Sequence, residues 1–180
     1  MFEKRDDQLV AKALKGDKKS WLQLISRYEK PVYHYGVRMT GNHSDAADLM
    51  QEIFLSVFRS LQNYRGEGSF KGWLFKIAHY RCMEFYRRKR PEQSDDEIPD
   101  VACKALTPDE QMLQDQNSAS LTQAMQSLPI SQRAVVELKF FGQFTFEEIA
   151  EQLGVSSNTV KSRLYAALDK LRNALESVHA

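Results

Sequence analysis

One stretch, Thr145 to Leu171 (TFEEIAEQLGVSSNTVKSRLYAALDKL), constrains the fold of this chain more than any other. Thr145 followed by Glu148 forms a capping box, in which each side chain satisfies an orphan amide at the start of a helix. Ile149, Ala150 and Leu153 fall on one face of that helix, and Gly154 tolerates the positive φ that stops it. Ser156 suits the cap of a second helix, whose Val160, Leu164 and Leu168 recur every four residues. Two short helices joined by a tight Gly-containing turn make a helix-turn-helix. The second is expected to turn Ser157, Asn158, Lys161, Ser162 and Tyr165 to solvent, and such small polar and basic groups read base edges and phosphates. An ordinary helical hairpin with a solvated face is the alternative. The coincidence of caps, turn and small polar residues favours DNA.

A chain that binds DNA needs cations, yet the formal net charge is only +1. Any nucleic-acid surface must therefore be local and offset by acidic surface elsewhere. The 180 residues allow one domain or two small ones, and a hydrophobic content of 42% is ample for a packed core. Cys82 and Cys103 lack metal-ligand spacing and further partners, so a reducing compartment and a core role for Cys82 are expected. The N-terminus (MFEKRDDQLV) is charged from its third residue, which does not suit a signal peptide. No apolar run approaches the length of a membrane span. The expectation is a soluble cytoplasmic protein with no cofactor, no metal and no membrane insertion.

Periodicity predicts helices along the whole chain. Asp6 and Asp7 suit a helix start, Leu9, Val10, Ala13 and Leu14 form its apolar stripe, and Gly16 ends it. Asp17 caps a longer helix carrying Trp21, Leu24, Ile25, Tyr28, Val32, Tyr35 and Met39, which Pro31 is expected to kink or divide. After a turn at Thr40, Gly41 and Asn42, Ser44 to Leu61 is amphipathic. Its Leu49, Met50, Ile53, Phe54, Val57 and Leu61 oppose Asp45, Asp48, Gln51 and Glu52. That acidic side reads as a solvated face near a helix N-terminus or as a docking face for a basic partner.

Asn63 to Ser69 (NYRGEGS) is a Gly-rich loop without the spacing of a phosphate-cradling loop. Phe70 to Arg90 reads as one helix, with Phe70, Trp73, Leu74, Ile77, Ala78 and Phe85 buried. Lys76, His79, Tyr80, Met83, Arg87 and Arg90 lie opposite, and the helix ends in Arg87-Arg88-Lys89-Arg90. Cations interleaved with aromatics combine phosphate contact with base stacking. The run exceeds what helix capping requires. Pro91 stops the helix. Glu92, Asp95, Asp96, Glu97, Asp100, Asp109, Glu110 and Asp115 then face a single cation, Lys104, in a Pro-containing linker. Helical patterning resumes around Asp109 to Ser127 (Met112, Leu121, Ala124, Met125) with Leu128 after it. Pro129 to Phe141 (Val135, Val136, Leu138, Phe140) is expected to pack beneath the helix-turn-helix, and Leu171, Leu175 and Val178 extend the last helix. The architecture expected is all-α: two small helical domains, 1–90 and 118–180, joined by an acidic linker over 91–117.

In this order the segments resemble the bacterial extracytoplasmic-function sigma factors, the promoter-specificity subunits of RNA polymerase. DLMQEIF at Asp48 to Phe54 resembles region 2.2, and YRGEGSFKGWLFKIA at Tyr64 to Ala78 resembles region 2.3. RCMEFYRRKR resembles region 2.4, and LPISQRAVVELKFFGQFTFEEIAEQLGVSSNTVKSRL resembles region 4. Each motif alone is moderately specific; the ordered set is highly so.

The resemblance implies a role for each segment. Asp45, Asp48, Gln51 and Glu52 would dock on the β′ clamp helices of the polymerase core, and region 4 would meet the β flap. Tyr64, Arg65, Gly66, Glu67, Gly68 and Ser69 would hold a base flipped from the −10 element, with Lys76, His79, Tyr80 and Arg87 lining the same DNA. Asn158, Thr159, Lys161, Ser162, Arg163 and Tyr165 would contact the −35 element. The linker would thread toward the RNA exit path. Ala166 and Ala167 stand where many relatives carry further basic residues, which implies fewer phosphate contacts. The family also implies an anti-sigma partner, and an ending soon after region 4 implies no further regulatory domain.

Two other functions compete with this one. A stand-alone helix-turn-helix regulator uses Thr145 to Leu171 but leaves the acidic helix, the Gly-rich loop and the Arg87 to Arg90 face without a role. It would also usually need a dimer. An enzyme acting on nucleic acid lacks paired carboxylates in a pocket, a Cys/His cluster or a nucleophile motif, so no catalytic residue is assigned.

Overall fold

The computed structural model describes residues 2–89 and 116–179, with side chains described for 5–89 and 119–177. The acidic linker through Asp115, together with Arg90, Cys103 and Met112, lies outside the described residues, as does the Val178 side chain. Among the described residues every regular element is helical.

Asp6 sits one turn inside the first helix, α1 (Phe2–Leu14), rather than at its start. It is buried, and it accepts hydrogen bonds from Arg27 and the Tyr28 hydroxyl of the next helix. Its carboxylate thus pins two helices together instead of complementing a dipole. Asp17 caps α2 (Lys18–Thr40), accepting from the Lys19 amide at 3.2 Å and the Ser20 hydroxyl at 2.6 Å. That hydroxyl contact holds the Asp17 pKa below its ordinary value. Pro31 does not divide α2: its ring is exposed, so the backbone bond it forfeits lies where water can serve the freed carbonyl.

Gly41 ends α2 in the left-handed region at φ 71°, and Asn42 caps α3 (His43–Ser60) by accepting from the Asp45 amide. A short 3-10 turn (Leu61–Asn63) and the loop 64–69 lead into α4 (Phe70–Lys89). Leu24, Tyr35, Met39, Leu49, Ile53, Phe70, Leu74 and Cys82 fill the core of this first bundle. Burial pushes the Cys82 thiol up to about 12. Phe75 is buried as well, against the expected stripe, because its face of α4 meets the second bundle.

The second bundle holds α5 (Gln116–Gln126), α6 (Ile130–Val136), α7 (Phe146–Leu153) and α8 (Ser157–His179). After α6 the chain widens into a π-turn, Glu137–Phe141. Phe140 was expected in the core but is exposed, because that widening rotates it outward. Leu168 is exposed too. A spacing of four drifts off a helix of 3.6 residues per turn, so Ala167 and Leu171 continue the buried line from Val160 and Leu164.

The two bundles pack on each other. Arg38 of α2 makes a bidentate pair with Glu137, both bonds 2.7 Å. Arg133 is 6% exposed and donates to the Met39 carbonyl and, at 2.8 Å, to the Tyr86 hydroxyl. It also donates to the Met125 and Leu128 carbonyls of its own bundle, both at 2.9 Å. Further along the seam Lys71 Nζ donates to the Gly142 carbonyl at 2.6 Å, and the Phe75 and Phe144 rings meet at 5.9 Å.

Candidate nucleic-acid interface

The helix-turn-helix forms as its caps dictate. The Thr145 amide donates to Glu148 Oε2 at 2.8 Å and the Glu148 amide to Thr145 Oγ1 at 3.2 Å, which closes the capping box. Gly154 takes φ 67°. Ser156 Oγ accepts from the Thr159 amide at 3.1 Å and starts α8. Val160, Leu164 and Ala167 are buried against the rest of the bundle, so α8 turns Asn158, Lys161, Ser162 and Tyr165 outward. Thr159 and Arg163 are half-buried, and the Thr159 hydroxyl is engaged by Ser156. Lys161 Nζ stands 5.4 Å from the centroid of the Phe146 ring. Ser157, expected on this face, is half-buried at the helix start.

In the loop 64–69, Gly66 and Gly68 both take φ 74°, a conformation that a side chain would strain. Tyr64 is half-buried, with its ring packed against Trp73 at 5.2 Å and Phe70 at 5.8 Å. Arg65, Glu67 and Gly68 are exposed, and Ser69 caps the first turn of α4 through the Gly72 amide at 3.0 Å. Lys76, Tyr80 and Arg87 are exposed along α4. His79 lies between them, half-buried. Its pKa is lowered to about 4, first by burial and then by the charges of Arg163 and Arg87. Arg163 belongs to α8, so both basic helices bring charge to the same histidine.

On α3, Asp48 and Gln51 are exposed, while Asp45 and Glu52 are half-covered. Glu52 is bonded by Arg88, and Asp45 by Lys89 at 2.6 Å. Two of the cations closing α4 therefore bind back onto the acidic face. The same stripe continues into Leu55 and Phe58, 49% and 59% exposed, which fall outside the apolar stripe read from the sequence.

Residues 24–92 match the family model for Sigma-70 region 2, and residues 118–171 the one for Sigma-70, region 4. The chain is 30% identical to the RNA polymerase sigma-H factor of Pseudomonas aeruginosa, over 98% of this chain and 96% of that one. It belongs to the extracytoplasmic-function sigma factors of the sigma-70 family. The ECF RNA polymerase sigma factor SigE of Mycolicibacterium smegmatis is 36% identical over 87% of this chain, which spans 62% of that protein's length. The ECF RNA polymerase sigma-E factor of Escherichia coli is 28% identical over 98% of this chain and 97% of its own. The fold agrees with that of CnrH, solved with the cytosolic domain of CnrY. That likeness has a TM-score of 0.71 at 22% identity and covers 96% of this chain and 98% of the other.

A sigma factor is a non-enzymatic subunit, and this one directs RNA polymerase to promoters for transcription initiation. Among the described residues, no group of His, Cys, Asp and Glu could hold a metal ion, and no helix is long and apolar enough to cross a membrane. Sequence reasoning missed Arg38, Lys71, Arg133 and Glu137, whose contacts join region 2 to region 4. The signal that could have found the last two is a pair of opposite charges four residues apart that brackets the apolar run Ala134-Val135-Val136.

Proposed function

We propose that three separate surfaces divide the work of this sigma factor. Asp45, Asp48, Gln51 and Glu52 on α3 dock on the polymerase core, where arginines can bond carboxylates with strong, oriented hydrogen bonds. Leu55 and Phe58 extend that surface with apolar area. The loop 64–69 with Lys76, His79, Tyr80 and Arg87 receives the melted −10 strand. Its glycines allow close backbone approach, and its contacts offset the cost of unstacking a base, roughly a few kcal/mol. Asn158, Lys161, Ser162 and Tyr165, with Thr159 and Arg163 beside them, read the −35 duplex.

The domains assigned to these tasks are 1–90 and 118–180, with 91–117 as the linker. The protein works in the cytoplasm, beside the polymerase. An anti-sigma factor is its regulatory partner, as for the Bartonella quintana sigma factor RpoE, solved with the anti-sigma factor NepR. The observation that carries this division is the exposed line Asp48, Gln51, Leu55 and Phe58 on α3, which a regulator that only bound duplex DNA would not need.

The test is titration into core RNA polymerase followed by gel filtration. The chain is expected to co-elute with core. Replacing Asp48 and Glu52 together by Arg should abolish co-elution while the circular dichroism spectrum stays helical. Normal co-elution of that variant would remove α3 from the docking surface.

A further inference from the structure

The seam between the bundles runs across the pocket just assigned to the −10 strand. A cavity of about 170 Å3 is enclosed by two sets of residues. Glu67, Ser69, Trp73 and Lys76 come from region 2, and Glu148 and Gln152 are among those contributed by α7 of region 4. The side of the loop that leads into α4 therefore faces a helix of region 4, while residues 65–68 stay exposed. That helix presents carboxylates: burial holds the Lys71 pKa below its ordinary value, and the charge of Glu148 acts in the opposite direction. A negative side chain near these lysines stands in the electrostatic position of a DNA phosphate.

The two ends of the seam differ in quality. At the α2 C-terminus polar groups are paired. Arg38 holds both oxygens of Glu137, which is only 2% exposed, and its guanidinium lies 3.8 Å from the centroid of the Phe141 ring. Gln126 bonds the Arg38 carbonyl at 2.6 Å. At the DNA-facing end, beside the bond from Lys71 to the Gly142 carbonyl, two polar atoms stay unpaired. His79 Nδ1 and Gln152 Oε1 are buried with no hydrogen-bond partner among the described residues. Burial, and after it the charges of Arg163 and Arg87, keep the His79 ring neutral, so it brings no charged bond to the seam. Buried polar groups left unpaired cost free energy, so the closed arrangement depends on the well-paired end.

We propose that α7 is an internal plug for the −10 pocket, held in place by the Arg38–Glu137 ion pair, and that breaking this pair opens the seam and admits single-stranded DNA. The inference rests on the reading of loop 64–69 as the −10 pocket. It adds that the free chain is closed to the very ligand that pocket is built for.

The experiment uses the full chain with Arg38→Glu, with Arg38→Ala, and with the exchanged pair Arg38→Glu plus Glu137→Arg. Small-angle scattering gives the radius of gyration. Fluorescence anisotropy with a labelled random-sequence single-stranded DNA 20-mer gives affinity. Both single variants should swell and bind DNA about tenfold more tightly, an order-of-magnitude change in Kd. The exchanged pair should restore the compact form and the weak binding. Unchanged radii in both single variants, or an exchanged pair that stays open, would overturn the latch. Swelling without tighter binding would overturn the plug. Adding Lys76→Ala to the opened variant separates the two readings. Lost affinity supports the pocket, whereas unchanged affinity leaves the opening in place and removes the −10 assignment.

Discussion

Arg88 Nη2 donates to both carboxylate oxygens of Glu52, at 3.0 and 2.7 Å, and so ties the basic end of α4 to the acidic face of α3. The contact raises the Arg88 pKa, first through the hydrogen bond itself. On the proposed docking, a polymerase arginine that bonds Glu52 would have to displace Arg88. Removing the competitor with Arg88→Ala should tighten core binding modestly, because exposed ion pairs are typically worth ~0.2–1 kcal/mol. Titration of core polymerase with both proteins measures this. Weaker binding of the variant would mean that Arg88 itself touches the core.

Lys161 projects from the exposed face of α8, with the Phe146 ring beside its Nζ. If it reaches a base edge, Lys161→Ala should cost ~1–3 kcal/mol at the −35 duplex and relax the sequence preference there. Binding of holoenzyme to duplexes carrying single-base changes checks both parts. A uniform loss across all sequences, with a shallower salt dependence, would make Lys161 a phosphate contact instead.

Thr145 closes the capping box that starts α7. Thr145→Ala should lower stability by about 1 kcal/mol, the usual loss for an N-cap hydroxyl. Urea unfolding followed by circular dichroism reads it. Thr145→Ser should retain most of the stability, because its hydroxyl can accept the same Glu148 amide.

His79 is neutral in the folded chain, its pKa lowered to about 4 by burial and by Arg163 and Arg87. Unfolding returns it to an ordinary value of about 6.5, where it takes up a proton. The unfolded state therefore binds more protons between these values, and stability rises with pH across that window. As pH falls from about 6.5 toward 4 the His79 contribution should be lost progressively. His79→Gln should flatten that part of a melting-temperature profile. An unchanged slope would show that His79 is not held neutral.

The helix-turn-helix was legible in the sequence because its determinants are local. Thr145, Glu148, Gly154 and Ser156 each act within four residues, and each takes the predicted role. The amphipathic stripes of α2, α3 and α4 were legible for the same reason. What was not legible depends on partners far along the chain. Asp6 looks like a helix-start residue until Arg27 and Tyr28 are folded over it. Arg133 and Glu137 look like interruptions of an apolar helix until α2 supplies the Met39 carbonyl and Arg38. Phe140 was misplaced because a π-turn shifts the helical phase, and nothing in its neighbours announces that turn. Among the candidate site residues, the exposure of Asn158, Lys161, Ser162 and Tyr165 followed from the pattern of α8. The pairing of Asp45 and Glu52 with Lys89 and Arg88 did not, since it requires α3 and α4 to be side by side.

Cys82 lies at 0% exposure in the first bundle, with its thiol pushed up to about 12. A thiol reacts as the thiolate, so alkylating reagents meet almost no nucleophile there while α4 is seated. In a chain with Cys103 replaced by Ser, labelling at Cys82 would therefore time the opening of that core. The residue is a built-in stopwatch. It runs only while α4, the helix proposed to carry the −10 face, is away from its bundle, and a ligand that holds that helix in place would slow it.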